Sequence, residues 1–107
     1  MAHPRVSDVD AARDGAPLRV LVADDAYLVR EGLRQLLELS DAVVVVGGCT
    51  DEPDTLAAVE ADPPDVLVTD IRMPPTSTDE GIRIAERLRV TRPRLGVVVL
   101  SQDGDVA

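Results

Sequence analysis

The sequence predicts an α/β fold built as a doubly wound parallel sheet, and three observations carry that expectation. Short runs rich in β-branched residues alternate with longer stretches whose apolar residues recur at helical spacing. The short runs are apolar at successive positions, as strands buried on both faces are. Pro, Gly or Asp punctuates most of the junctions between them.

The first 17 residues contain Pro4, Gly15 and Pro17, hold no sustained period and read as a flexible leader, with His3 a solvated side chain. The domain proper is expected over residues 18–107. Leu18 to Ala23 forms a first strand ending at Asp24-Asp25, and Val29, Leu33, Leu36 and Leu37 recur at helical spacing, as one face of a helix reaching about Leu39 does. Val43 to Val46 is a second strand, closed by Gly47-Gly48. Asp51 caps a second helix with Pro53 in its first turn and Leu56 and Val59 on one face; Pro63-Pro64 stops it. Val66 to Thr69 is a third strand ending at Asp70. A loop from Met73 to Thr78 leads to a third helix from about Asp79 to Val90. There Gly81, Ile84, Ala85 and Leu88 face inward and Asp79 pairs with Arg83 on the outer side. Leu95 to Leu100 is the fourth strand, followed by Ser101. Right-handed crossovers then place helices on both faces of one sheet, and the simplest topology is the flavodoxin-like strand order 2-1-3-4.

Composition bounds the function. The 107 residues suit one domain, since domains cluster near roughly 100–150 residues. Twenty acidic residues face 11 arginines and no lysine, a net charge of −9 that opposes direct binding of this chain to nucleic acid. No apolar run approaches the roughly 18 residues of a membrane span, and the charged N-terminus has no apolar core of a secretion signal. A cytoplasmic location without a membrane partner is therefore expected. A single cysteine, Cys49, excludes a disulfide framework and a cysteine zinc cluster; it reads as a small buried residue.

In open α/β sheets the site lies beyond the carboxyl ends of the strands, where strand order reverses. The residues at those ends are Asp24, Asp25, Asp70 and Ser101. Each alone has a structural explanation. Asp25 could cap a helix, Asp70 could serve a turn, and Ser101 could bond locally. Asp24 resists it, because one carboxylate suffices for a cap and adjacent acids repel without a compensating cation. Three carboxylates converging on one crevice suit Mg²⁺, a hard ion that takes oxygen ligands and shares them with substrate phosphate. An Asp shielded by that ion can attack a phosphoryl donor and become an aspartyl phosphate, with a nearby hydroxyl bonding the phosphoryl oxygens. Other phosphoryl-transfer signatures fit poorly. The acids are adjacent where a haloacid-dehalogenase-like phosphatase needs D-x-D, and no phosphate-binding G-x-x-x-x-G-K-[ST] loop is present.

The segments VLVADDAYLVREGLRQLLE, DVLVTDIRMPP, TDEGIRIAERLR and VVVLSQ resemble a two-component response-regulator receiver domain over about Leu18 to Gln102. They resemble receivers that precede a LuxR-type helix-turn-helix in transcription regulators. The resemblance implies that Asp70 is the phosphoacceptor for a sensor histidine kinase. It also implies that Asp25, Asp70 and the backbone carbonyl of Arg72 hold Mg²⁺, with Asp24 assisting, and that Ser101 is the switch hydroxyl. Met73-Pro74 would shape the loop after the acceptor. DNA would be reached through a C-terminal domain beyond this chain. Such chemistry is self-modification, so the chain is not expected to be a turnover enzyme.

Departures from the pattern set further expectations. Strand starts near 18, 43, 66 and 95 place a fifth strand at about 115–120, past Ala107. The family's fifth strand carries a lysine, absent here, so the sheet is expected to be incomplete, without that strand and the last helix. The chain is then a piece of a longer regulator or a naturally shortened one. An apolar fourth strand left at the sheet edge favours self-association or dimerisation. Two other functions compete with the receiver reading. One is a phosphorylation-independent interaction module; the weaker one, a divalent-cation hydrolase, lacks a water-activating base.

Overall fold

The computed structural model describes residues 15–101. Most of the expected leader, with His3, and the stretch 102–107 lie outside the described residues. The elements run in strict βα alternation: β1 (Leu18–Ala23), α1 (Tyr27–Leu37), β2 (Val43–Cys49), α2 (Glu52–Ala61), β3 (Val66–Asp70), α3 (Glu80–Thr91) and β4 (Gly96–Leu100). The strands form one parallel sheet in the order β2-β1-β3-β4. This is the flavodoxin-like 2-1-3-4 arrangement, and it makes β1 and β3 neighbours.

Alternation along β1 builds two apolar layers. Val20 and Val22 point with Val68 toward one face, where Leu33 and Leu37 of α1 cover them. Leu21 and Ala23 point the other way and join Leu67, Met73, Val59 of α2, and Ile84 and Leu88 of α3. Each fully buried aliphatic side chain contributes about 1.5–3 kcal/mol, so the two-layer packing holds the helices to a sheet that is apolar on both sides. The second helix begins as its sequence suggests: the Asp51 carboxylate accepts from the Asp54 N–H at 2.8 Å, and Pro53 stands in the first turn.

Two local expectations are corrected. The glycines do not close β2; pairing with β1 continues through Gly47, Gly48 and Cys49 after a register shift between Val20 and Leu21. Leu21 lies so close over Gly47 that a Cβ there would sit 3.2 Å from its Cδ1, so the missing side chain makes room for a core leucine. Leu36 does not face inward; it is 66% exposed, and α1 packs through Leu33 and Leu37 instead.

The registers decide where the site falls. Ala23 pairs with Thr69, and Asp70 pairs with Leu100. Asp24, Asp70 and Ser101 therefore emerge side by side at one rim of the sheet. Among the described residues no helix is long and apolar enough to cross a membrane.

Candidate functional site

The rim is made by three adjacent strand ends. Asp24 follows the last residue of β1 and is 2% exposed. Its backbone N–H donates to the Cys49 carbonyl at 2.9 Å, which continues the β1–β2 ladder past the strand. Asp70 is the last residue of β3 and is 8% exposed. Asp25 is exposed, at the mouth. Carboxylate oxygens of Asp24, Asp25 and Asp70 all lie within 4.8 Å of one another. Ser101 stands just past β4 and is exposed; the Ile71 N–H donates to the Leu100 carbonyl at 3.2 Å and keeps the two strand ends together. Arg72 is exposed in the loop beyond β3.

The capping explanation fails for Asp25. Helix α1 has Ala26 at its N-cap, with no side-chain cap bond. The Ala26 N–H is instead taken by Asp24 Oδ1 at 2.8 Å, a local turn that orients Asp24. No hydrogen bond among the described residues ties up the Asp25 carboxylate. Three acids held this close repel one another, and a donor set made only of carboxylate oxygens matches a hard divalent cation.

Three residues to which the sequence assigned no part in the site complete the surroundings. Arg30 of α1 reaches back and donates from Nη1 to the Asp24 backbone carbonyl at 2.8 Å, which fixes the turn carrying the acidic pair. Gly81 lies where α3 presses on the end of β3. Its N–H donates to the Ile71 carbonyl at 2.8 Å. A Cβ at Gly81 would stand 2.8 Å from the Asp70 carbonyl carbon and 2.9 Å from Ile71 Cα, closer than real Cβ atoms come. The inward placement of Gly81 was legible in the helical spacing, but the contact with the Asp70 backbone was not. Third, Glu80 is wholly buried, an unusual place for a carboxylate.

Burial alone would raise the Glu80 pKa. The Thr76 hydroxyl and the backbone N–H groups of Thr76 and Thr78 more than offset it and hold the group at about 2. Since the ordinary value is 4.5, the unfolded chain takes up this proton first as pH falls. The stabilisation is complete above pH 4.5 and is lost progressively toward about 2. The charged groups around it are Arg83 at 3.7 Å, Asp79 before it, and Glu52 of α2, which Arg83 bridges. Unfolding midpoints of Glu80→Gln, measured between pH 5 and 2, are expected to fall less steeply with acid than those of the wild type. Parallel curves would contradict the assignment.

A cavity of about 570 Å³ opens at the opposite end of the strands, lined by Leu18, Pro64, Val66, Leu95 and Gly96 among others. It touches none of the three aspartates, and its lining also includes Asp65, Arg92 and Arg94.

A parallel sheet with acidic side chains gathered at the carboxyl ends of adjacent strands is the architecture in which α/β domains place a site at the topological switch point. The chain belongs to the response regulator receiver domain family, whose profile matches residues 20–107. It is 37% identical over 84% of its length to protein-glutamate methylesterase/protein-glutamine glutaminase 5 of Myxococcus xanthus (strain DK1622), and spans 25% of that protein. It is 34% identical over 78% of its length to the transcriptional regulatory protein YxjL of Bacillus subtilis (strain 168), itself uncharacterised, and spans 37% of it. Its fold superposes with a TM-score of 0.72, at 30% identity, on RcsB from Salmonella enterica serovar Typhimurium bound to promoter P1flhDC in the presence of the phosphomimetic BeF3−. That match covers 82% of this chain and 44% of RcsB. The chain thus spans less than half the length of each of these relatives.

Proposed function

We propose that this receiver accepts a phosphoryl group on Asp70 from a sensor histidine kinase in the cytoplasm and that the modification switches an interaction surface. The observation that carries the reading is the meeting of three carboxylates, from two separate segments, within 4.8 Å at the rim. Asp70 sits at the end of the inner strand β3, so the sheet carries its backbone to the rim. A carboxylate oxygen of Asp70 attacks the phosphorus of a phosphohistidine; the P–N bond breaks, imidazole leaves with its electron pair and takes a proton, and an acyl phosphate remains.

Asp25, Asp70 and the Arg72 carbonyl would hold Mg²⁺, with Asp24 assisting. The ion supplies charge neutralisation for the incoming phosphoryl oxygens. Ser101, at the end of the neighbouring strand, is the hydroxyl that bonds those oxygens and passes the change to the surface. The reaction modifies the protein itself once, so the chain is a switch and not a turnover enzyme. RcsB was solved on a promoter in the presence of a phosphomimetic, which supports a regulatory output on transcription through a DNA-binding domain outside this chain. Direct DNA binding by this 107-residue chain, with its net charge of −9, is not part of the reading.

Incubation with acetyl phosphate and Mg²⁺ is expected to add one phosphoryl group, stable in acid and labile in base. Asp70→Asn is expected to abolish the adduct, read by intact-protein mass spectrometry. A wild-type chain that stays unmodified would instead favour a phosphorylation-independent interaction module.

Self-association is the second element of the proposal. Strand β4 ends the sheet among the described residues, and Val98 is 46% and Val99 36% exposed there. An apolar edge strand is a template for pairing with another chain. Sedimentation equilibrium of the 107-residue chain is expected to show a concentration-dependent dimer, and a monomer at every concentration would refute it.

A further inference from the structure

The segment joining β3 to α3 is closed upon itself by one side chain. Glu80, the first residue of α3, turns its buried carboxylate back into the loop. Oε2 accepts from the Thr76 N–H at 2.6 Å and from the Thr76 hydroxyl at 2.5 Å, while Oε1 accepts from the Thr78 N–H at 3.1 Å. Between these anchors Ser77 takes a left-handed φ of 58°, and its N–H donates to the Met73 carbonyl at 2.8 Å. Met73 is itself locked in the core.

Outer ties lead to α2. Arg83 donates to Asp79 at 2.7 Å and to Glu52 at 2.5 Å, and the Glu52 N–H donates to the Pro74 carbonyl at 3.1 Å. One residue after Glu80, Gly81 rests on the Asp70 and Ile71 backbone. The loop closed by Glu80 is therefore fastened to the same peptide units that carry the Asp70 carboxyl and lead to the Arg72 carbonyl.

We propose that Glu80 is a positioning residue: by clamping the 73–79 loop to the first turn of α3, it holds Gly81 against the Asp70–Ile71 backbone and so fixes where the Asp70 carboxyl points. The inference rests on the reading of Asp70 as phosphoacceptor. Its physical basis is that a misplacement of about 1 Å at a reacting atom can lower a rate by about a hundredfold. The choice of a carboxylate follows from the donors. The two loop N–H groups and a hydroxyl all point at it, and an amide would set its own NH₂ against one of them.

The test uses the full chain with acetyl phosphate and Mg²⁺. Glu80→Gln and Thr76→Val are compared with the wild type and with Thr76→Ser, which keeps the hydroxyl. Two readouts are taken under conditions where every variant is folded by circular dichroism: the rate constant of aspartyl phosphate formation, and amide hydrogen exchange at Gly81. Glu80→Gln is expected to slow phosphorylation about tenfold or more and to speed Gly81 exchange by a similar factor. Thr76→Val moves both in the same direction by less, and Thr76→Ser restores them. A role in stability alone would leave the rate constant of the folded molecules unchanged. Thr76 is exposed, so the Thr76 pair decides the matter should Glu80→Gln fail to fold. Rate and exchange must move together; a change in either one alone, or in neither, overturns the inference while the phosphoacceptor stands. A wild type that takes no phosphoryl group overturns both.

Discussion

Gly81→Ala is expected to lower the unfolding midpoint by about 15 °C, Gly81 being the most crowded of the described glycines. Helix propensity alone argues the opposite, since Ala is favoured over Gly by about 1 kcal/mol inside a helix. Here the added carbon meets backbone, the Asp70 carbonyl and Ile71 Cα, and neither can rotate aside as a side chain tip would. Overpacking against a fixed neighbour costs up to about 3 kcal/mol, so the steric penalty wins and α3 must lift from β3. The lift also breaks the 2.8 Å bond from the Gly81 N–H to the Ile71 carbonyl. Thermal unfolding checks this directly. A midpoint within about 3 °C of the wild type would mean that the close approach relaxes without cost.

Asp25→Asn is expected to act in opposite directions with and without Mg²⁺. In metal-free buffer of low ionic strength the variant is more stable than the wild type by about 1 kcal/mol, because one of three mutually repelling carboxylates becomes neutral. The gain is modest because Asp25 is exposed and its charge is partly screened. Added Mg²⁺ reverses the order. At ten times its dissociation constant the ion stabilises the wild type by roughly 1.4 kcal/mol, and the variant, lacking an anionic ligand, gains little. Melting curves with Mg²⁺ and with a chelator give the four values required. A wild type indifferent to Mg²⁺ would remove the metal from the account.

Most of the topology was legible in the residues. Strands such as Val66 to Thr69 are too short and too β-branched to be helices, and helical spacing between Asp79 and Val90 is too regular to be a strand. With alternation established, the 2-1-3-4 order had few competitors, and it brought Asp24, Asp25 and Asp70 together before any coordinates. What failed was local. Gly47 and Gly48 read as a stop because glycine lacks a side chain to pack. In a parallel ladder the backbone supplies the pairing, and the space left is taken by Leu21 at Gly47 and by the Arg30 side chain at Gly48. Leu36 satisfied the helical spacing yet lies outside, since α1 covers the sheet with a narrower stripe than four leucine and valine positions imply.

The supporting residues of the site were harder still. Glu80 looks in sequence like any acid in a first helical turn, and only the return of the loop upon it explains its burial. Arg30 looks like one of 11 solvent-facing arginines until its guanidinium is seen on the Asp24 carbonyl. The acids were found because their chemistry is unusual at a strand end. Their partners were missed because their chemistry is ordinary and only their placement is special.

Cys49 closes β2 inside the core, its carbonyl bonded to the Asp24 N–H and its thiol made still less acidic by burial. A thiol reagent therefore reaches it slowly in the closed molecule and reacts mainly in moments when the edge strand parts from β1. The protein thus carries a built-in clock: the rate at which this one sulfur is labelled times the breathing of the sheet beside the acidic pair, with no engineered probe.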